Sequence, residues 1–277
     1  MQRTLATEIR AEGVGLHSGA SATVVLSPAG PDHGIRFVRL DHAGASDVPA
    51  RLERVASSRL ATTLGEGVEA VATVEHLLAA LVAEGVDNVR IGVSGPEVPI
   101  LDGSAGPWLE HIRQAGTRAQ DRPARRVRVL RAVEVRSGER RMRLSPADTL
   151  QIEATIDFDH PRIGVQSMTI DLRDFDEVAW ARTFGFLDEV EELRARGFAR
   201  GGDLDNAVVF TPDGETLNPL RVENEPVRHK LLDIVGDLAL LGARLEGRVE
   251  ALRPGHGMTL ALLRALMADP EAFETIQ

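Results

Sequence analysis

Two histidines and two carboxylates lie where they could bind a metal ion and activate water. His229 and Asp233 are four residues apart in an apolar stretch. On a helix they would share one face, with β-carbons about 5–6 Å apart. Glu75 and His76 are adjacent in a second apolar stretch, where buried polar groups need partners. His76, His229 and Asp233 together would leave a coordination position for water, as in catalytic zinc sites. The same donors also suit an Fe(II) centre.

Further candidates for proton transfer lie near these segments in the chain. Glu75 could accept a proton from water whose pKa a metal ion lowers toward about 7. His256 lies between two glycines before a helical stretch, which suits a general acid or a cation facing an oxyanion. Asp237 could orient His256 by a hydrogen bond. The ordinary alternatives are a surface carboxylate for Glu75 and a loop histidine without a role for His256.

Lys230 is the only lysine among 32 Lys and Arg residues. A general bias toward arginine explains the composition but not why one position keeps lysine. Because a guanidinium cannot always replace a compact ammonium, we regard Lys230 as a candidate binding residue.

The elements that must position these residues alternate between short strands and helices, marked by hydrophobic periodicity and by Gly and Pro. Helices are predicted at Thr73–Ala83, Pro107–Gln114, Asp174–Ala181, Leu187–Arg196, from Pro226 to just before Gly242, and at Met258–Met267. Strands are predicted at Leu5–Arg10, Ala22–Leu26, Ile35–Leu40, Asn88–Val93, Val127–Val135, Arg141–Leu144, Leu150–Phe158, Gln166–Leu172, Ala207–Phe210 and Glu246–Leu252. The polar segment Thr117–Arg126 contains Pro123 and is the candidate linker.

The two halves share an order of elements: strands, helix, strand, loop, helix. Sliding the chain by 153 residues, the separation of His76 and His229, places Val74-Glu75-His76 on Val227-Arg228-His229. This pattern predicts an internal duplication, with an α+β fold of two similar domains. A pseudo-twofold axis between the domains would bring the two histidines to one point, in a cleft where sites tend to form.

Composition excludes several classes of protein. The chain has 277 residues, 43% of them hydrophobic, and a formal net charge of −10. A main partner that is nucleic acid or an anionic membrane needs a basic face, so neither is expected. No apolar run is long enough to span a membrane, and the N-terminus lacks an apolar signal core, so we expect a cytoplasmic protein. Cysteine is absent, so any metal must be held by His, Asp or Glu.

Short segments spread over nearly the whole chain match the motifs of one family. They are Gly13–His17, Thr73–Leu77, Asp87–Asn88, Pro99–Ala105, Ile156–Pro161, Ala181–Phe186, Val227–Asp233 and Gly255–His256. On these segments the chain resembles the UDP-3-O-acyl-N-acetylglucosamine deacetylases, the zinc amidases that commit Gram-negative bacteria to lipid A.

The resemblance implies a role for each candidate residue. His76, His229 and Asp233 would bind zinc, with Fe2+ possible in its place, and Glu75 would be the general base. His256 would be the charged acid, oriented by Asp237. Thr183 would stabilise the oxyanion, and Lys230 and Arg253 would contact the diphosphate. Phe158 and His160 would contact the nucleotide. The remaining implied substrate contacts are His17, Leu60, Phe184 and Phe186.

The resemblance also implies a fold of two α+β domains, each a sheet layered with two helices, with the active site between them. The domains would span residues 1–118 and 125–277, with inserts at approximately 41–69 and 186–206. The second insert would form an apolar passage for the 3-O-acyl chain, which Leu187, Val190 and Leu193 could line with Phe184 and Phe186. The expected partner is an acylated UDP-sugar, and we expect a monomer without stable membrane insertion.

Three positions depart from the family pattern, and two other functions remain open. Arg253 stands where some members have Lys, and it would still contact phosphate. Ala61 stands where many members have Cys, so inhibition by a second metal ion should be weaker. Asp159 stands where others have Asn, which bears on nucleotide contacts. The alternatives are an amidase for a different acylated sugar nucleotide, and a silent relative that only binds a nucleotide-sugar or a regulatory partner.

Overall fold

The N-terminal half of the chain is organised around a five-stranded sheet. The computed structural model describes all residues, 1–277. In chain order this half contains β1 (Arg3–Leu5), β2 (Ile9–Val14), β3 (Ser21–Pro28), β4 (Ile35–Arg39), β5 (Val48–Pro49), β6 (Val55–Ser57), β7 (Thr63–Leu64), α1 (Glu75–Ala83), β8 (Val89–Ser94), α2 (Gly106–Ala115) and β9 (Thr117–Ala119). The sheet order is β2-β3-β8-β4-β5. Residues of β3 alternate between buried and less buried positions, as expected for a sheet with one face on the core.

The C-terminal half is organised around a seven-stranded sheet. Its elements are β10 (Arg126–Val129), β11 (Val133–Ser137), β12 (Arg140–Ser145), β13 (Leu150–Phe158), β14 (Gly164–Asp171), α3 (Asp176–Ala179), β15 (Phe184–Phe186), α4 (Leu187–Ala195), β16 (Val208–Phe210), α5 (Glu225–Leu238), β17 (Arg244–Leu252), α6 (His256–Met267) and β18 (Phe273–Ile276). Five of the strands follow the order β11-β12-β17-β13-β14, and β10 and β18 extend the sheet beside the start of β17.

The two sheets have the same topology. In both, the successive pairings are antiparallel, antiparallel, parallel and antiparallel: β2-β3-β8-β4-β5 in the first and β11-β12-β17-β13-β14 in the second. α1 precedes β8 as α5 precedes β17, and α2 follows β8 as α6 follows β17. The correspondence supports the predicted duplication, whose domain boundaries stay a prediction.

The central helices α1 and α5 pack against each other between the halves. A β-carbon on Gly236 of α5 would overlap the carbonyl oxygen of Glu75 on α1, so glycine permits the close approach. Seven successive residues, Glu75–Leu81, are buried, because α1 lies in the core and, apart from Glu75 and His76, is apolar on all sides. One cluster of 58 buried apolar residues includes both helices and strands of both sheets, so the halves share a single core.

The local sequence predicts the order of the elements better than the pairings of short strands. The strand predicted at Leu5–Arg10 is two strands separated by a bend, and the strand predicted at Val127–Val135 divides into β10 and β11. The start of the predicted linker is β9, which pairs with β1. The helix predicted at Asp174–Ala181 is a single short turn, Asp176–Ala179, after a 3₁₀ segment. β18 was not predicted, since its partner β10 lies 144 residues earlier in register (Phe273 opposite Val129).

Membrane-spanning helices are absent: no helix of the structure is both long enough and apolar enough to cross a bilayer.

Candidate functional site

His76, His229 and Asp233 form a buried cluster between α1 and α5. Each offers one ligand atom, and these atoms lie within 4.8 Å of one another. Asp233 Oδ1 is 3.7 Å from His76 Nε2 and 3.4 Å from His229 Nε2. The two imidazole rings are 5.0 Å apart and nearly perpendicular. The structure thus brings together the three residues that the sequence predicts as metal ligands.

The hydrogen bond of His229 shows which ring nitrogen is free to bind a cation. His229 Nδ1 donates a hydrogen bond to the carbonyl oxygen of Ala181 at 3.0 Å. A neutral imidazole then presents the lone pair of Nε2 toward the Asp233 carboxylate. Two lone-pair donors that face each other in a buried site repel unless a cation lies between them. Orientation of a ligand histidine by a backbone carbonyl is also typical of metal sites, so the residues fit a divalent ion.

The protonation states of the ligands favour metal binding. Burial lowers the pKa of His229 to about 3, although the negative charge of Asp233 opposes this shift. The positive charge of Lys230 acts in the same direction as burial. Burial alone would raise the pKa of Asp233, but neighbouring positive charge, including that of Lys230, holds it well below its usual value. Lys230 Nζ donates to Asp233 Oδ2 at 2.8 Å. Ligands must be deprotonated to coordinate a metal, and both of these groups are.

A carboxylate and an imidazolium lie beside the cluster. His256 Nε2 is 3.7 Å from Glu75 Oε1, and His256 Nδ1 donates to Asp237 Oδ2 at 2.8 Å. Burial alone would lower the pKa of His256, but the charges of Asp237 and Glu75 raise it to about 10. Burial raises the pKa of Glu75, and the positive charge of His256 opposes the rise. His256 is therefore protonated at neutral pH, as a general acid requires.

Thr62 anchors both carboxylates and was not among the predicted site residues. Its hydroxyl donates to Asp237 Oδ1 at 2.7 Å, and its backbone N–H donates to Glu75 Oε2 at 3.1 Å. Thr62 is fully buried. Nothing in the local sequence marks it, because its partners lie 13 and 175 residues away.

Glu97 is a second residue that sequence reasoning missed. Its carboxylate accepts hydrogen bonds from the Thr73 hydroxyl at 2.7 Å and from the backbone N–H of His17 and Ser18. Thr73 has a positive φ of 57°, which is strained for a β-branched residue. Glu97 thus holds the segment that leads into α1, and the only sequence signal is a carboxylate in an otherwise apolar loop.

The predicted aromatic residues lie together next to the metal cluster. Phe158 is 5.5 Å from Phe184 and 5.8 Å from Phe186 between ring centroids, and Phe186 is 5.7 Å from His160. Phe184 is 6.3 Å from the His229 ring. Lys230 Nζ lies 5.4 Å from the Phe184 centroid, a cation–π distance. His160 is buried, and its Nε2 donates to the carbonyl oxygen of Thr211.

A polar cavity of about 350 Å³ lies next to these aromatic residues. Phe158, Lys230 and Arg253 line it, so three of the predicted substrate contacts share one cavity. Arg253 forms salt bridges with Asp157, at 2.6 Å, and with Glu139. An incoming phosphate would have to compete with these two carboxylates.

The remaining predicted residues surround the cluster at different depths. Thr183 lies two residues after Ala181, the hydrogen-bond acceptor of His229, and its role stays a prediction. The His17 ring is 5.6 Å from Phe198, and burial lowers its pKa. Leu60 is 46% exposed and has a positive φ of 65°. No residue of α4 is buried, and the acyl passage stays a prediction.

A buried cluster of two histidines and an aspartate, beside a carboxylate and a protonated imidazole, defines the site of a metal-dependent hydrolase. The comparisons then specify the family. The model of the family described as "LpxC: UDP-3-O-acyl N-acetylglycosamine deacetylase" matches residues 2–268. The chain belongs to this family, as the sequence motifs predict.

Curated relatives agree over the full length of the chain. The chain is 47% identical over 280 residues to the UDP-3-O-acyl-N-acetylglucosamine deacetylase of Myxococcus xanthus (strain DK1622), covering 99% of this chain and 89% of that protein. It is 45% identical over 282 residues to the enzyme of the same name from Thioalkalivibrio sulfidiphilus (strain HL-EbGR7), covering 99% and 92%. It is 43% identical over 286 residues to that of Teredinibacter turnerae (strain ATCC 39867 / T7901), covering 99% and 93%.

Proposed function

We propose that the protein hydrolyses the 2-N-acetyl group of UDP-3-O-(3-hydroxyacyl)-N-acetylglucosamine, giving acetate and the free amine, the committed step of lipid A biosynthesis. Membership of the family and the names of the curated relatives support this reaction. The observation that carries it is the buried cluster of His76, His229 and Asp233 beside Glu75 and His256.

The same cluster supports a divalent metal ion as the cofactor. We propose Zn2+ as the ion held by His76, His229 and Asp233, with Fe2+ as the alternative for the same donors. A bound divalent ion lowers the pKa of water and polarises the amide carbonyl. The chain itself must then supply a base, an acid and a means of orienting the substrate.

Glu75 and His256 divide the proton transfers between them. The Glu75 carboxylate accepts a proton from the water molecule whose oxygen attacks the acetyl carbonyl carbon. The His256 imidazolium faces the developing oxyanion and donates its proton to the amide nitrogen as the C–N bond breaks. Asp237 keeps His256 charged and oriented. Thr183 would offer its hydroxyl to the oxyanion.

The proposed substrate contacts come from the family resemblance, and the surroundings of the cluster support them. Lys230 and Arg253 line the polar cavity, where they would contact the diphosphate. Phe158 and His160 would hold the uridine by stacking, since an aromatic face can pack on a base. Phe184 and Phe186, with His17 and Leu60, would contact the sugar and the start of the acyl chain. We keep the cytoplasmic location and the monomeric state as predictions.

Acetate release, measured with metal analysis of the same samples, tests the proposal. A Glu75→Gln variant should keep its metal content and lose about 10²–10⁴-fold in rate, the range for an acid–base group. Glu110→Gln, an exposed carboxylate on α2, is the matched control and should match the wild-type rate. Normal turnover by metal-loaded Glu75→Gln would refute the base assignment.

The same assay separates the two alternative functions. A substrate without the 3-O-acyl chain should react far more slowly, whereas an amidase for a different acylated sugar nucleotide would not show this preference. A silent binding relative would hold metal and release no acetate from either substrate.

A further inference from the structure

We propose that a second cavity, at the seam between the two halves, binds a small molecule that carries a phosphate or carboxylate group on an apolar body. The volume of this cavity is about 780 Å³, and small-molecule sites typically have about 300–1,000 Å³. Both halves of the chain line it: Ile35, Arg51 and Val82 from the first, Leu150 and Arg244 from the second.

The cavity is separate from the metal cluster. It lies at the C-terminal ends of the two central helices, where Ala83 of α1 and Leu238 of α5 line it. The metal ligands lie further from these ends: His76 is seven residues before Ala83, and Asp233 is five residues before Leu238. At about 1.5 Å per residue, these separations correspond to roughly 7–11 Å along the helix axes. None of the proposed catalytic residues lines the second cavity.

Positive charge is concentrated in this cavity. Five arginines line it, together with three aspartates, although the whole chain has a net charge of −10. Arg173 and Arg244 are neutralised by Asp171 and Asp87, each at 2.8 Å. Arg122 forms a longer salt bridge with Asp32, at 3.8 Å. The other two arginines, Arg51 and Arg125, form no salt bridge with any carboxylate of the chain.

Arg51 has hydrogen-bonding capacity that the chain leaves unused. Its side chain makes one hydrogen bond, from Nη1 to the carbonyl oxygen of Leu241 at 3.0 Å. Burial and the charge of Arg125 lower the pKa of the Arg51 guanidinium, while Glu53 acts in the opposite direction without reaching salt-bridge distance. Its Nε and Nη2 remain without a protein acceptor. A bidentate oxyanion suits such a guanidinium.

The rest of the wall is largely apolar. Ile35, Val82, Val86, Leu150, Leu172 and Leu238 are among the lining residues. Inorganic phosphate alone would leave this apolar surface unused, whereas an alkyl or aryl body would bury it at about 25 cal/mol per Å². The combination of unpaired guanidinium groups with an apolar wall therefore selects an amphiphilic anion.

Calorimetric titration of the metal-loaded protein tests the proposal with three probes: octyl phosphate, octanoate and inorganic phosphate. We expect one or both octyl compounds to bind, and the stronger of the two identifies the preferred head group. Inorganic phosphate should bind more weakly than the preferred octyl compound. Arg125→Gln should weaken binding about ten-fold or more, the effect of losing one charge-assisted hydrogen bond. Arg51→Gln should do the same.

Three comparisons locate the binding and keep the proposal falsifiable. Arg125 is exposed and its side chain makes no hydrogen bond, so Arg125→Gln should fold even if Arg51→Gln does not. Lys230→Met alters the phosphate contact of the proposed active site and should leave octyl compound binding unchanged. Arg264→Gln removes an exposed arginine outside the cavity and should also bind normally. The proposal is overturned if neither octyl compound binds, if binding survives in Arg125→Gln but is lost in Lys230→Met, or if inorganic phosphate binds as tightly.

Discussion

Replacing Asp237 with asparagine should move the alkaline limit of activity to lower pH. Asp237 is buried, and its Oδ2 accepts a hydrogen bond from His256 Nδ1 at 2.8 Å. Its charge and this hydrogen bond are the first causes that raise the pKa of His256 to about 10. His256 must be protonated to act as an acid, so activity falls as the pH rises through this value. Asparagine removes the charge with little change in volume.

The size of the shift follows from the geometry. An opposite charge within about 4–6 Å shifts a pKa by about 1–3 units, or about 1.4–4 kcal/mol at about 1.36 kcal/mol per unit. Burial, which disfavours the imidazolium, remains in the variant, and Glu75 still favours it. We therefore expect the alkaline limb of kcat/KM to move from near pH 10 in the wild type to about pH 7–9 in Asp237→Asn.

The free energy of unfolding of the wild-type protein should depend on pH through the protonation of His256. The folded-state pKa of His256, about 10, lies above the ordinary value of 6.5. The stabilisation is therefore complete below about pH 6.5 and is lost as the pH rises through 10. Urea unfolding across this range should show the decline in the wild type and a smaller decline in Asp237→Asn.

The assay is the pH dependence of kcat/KM, which reports the free enzyme, with metal content determined for every sample. Asp148→Asn changes an exposed aspartate without a salt bridge and should give the wild-type profile. If metal-loaded Asp237→Asn were slower than wild type at every pH with an unmoved alkaline limb, Asp237 would not set the pKa of His256.

Three further predictions concern packing, the metal and a buried ion pair. Gly236→Ala should lower the free energy of unfolding by about 1–3 kcal/mol, because the added methyl group overpacks against α1. Gly30 has open space around it, so Gly30→Ala should not lower this free energy. Thermal unfolding of both variants checks the difference. A chelator should lower the Tm of the metal-loaded wild type, because a bound ion stabilises the folded state, and His76→Ala should lose most of this difference. Glu225→Gln should cost about 3–5 kcal/mol in urea unfolding, because it leaves the buried Arg182 without its carboxylate at 2.9 Å. Glu12→Gln, in an exposed pair, should cost less than about 1 kcal/mol, and equal losses would contradict the role of burial.

The central helices and the pair His229 and Asp233 were predictable because their signals are local. Pro226 and Gly242 bracket a periodic apolar stretch, and a His and an Asp four residues apart can only share a helix face. The meeting of His76 with this face needed the comparison of the two halves, since no local pattern joins residues so far apart. The roles of Thr183 and the aromatic residues came from the family resemblance alone.

The missed features depend on tertiary contacts. The sequence of β9 predicts a polar linker, because its three residues become a strand only by pairing with β1. Thr62 carries no distinguishing neighbour in sequence, and its importance lies in the two carboxylates that folding brings to it. Glu97 is similar, because the backbone it anchors belongs to residues about 80 positions earlier.

The matched sheets bear on how this site could have arisen. His76 and His229 occupy corresponding positions on α1 and α5, so an ancestor made of two identical copies of one half would already have presented a pair of imidazoles on its symmetry axis. Ala80 is the counterpart of Asp233, and Arg228 is the counterpart of Glu75, at the separation of 153 residues that joins the two histidines. On the predicted duplication, the two copies would have specialised after fusion, one supplying the base and the other the third ligand.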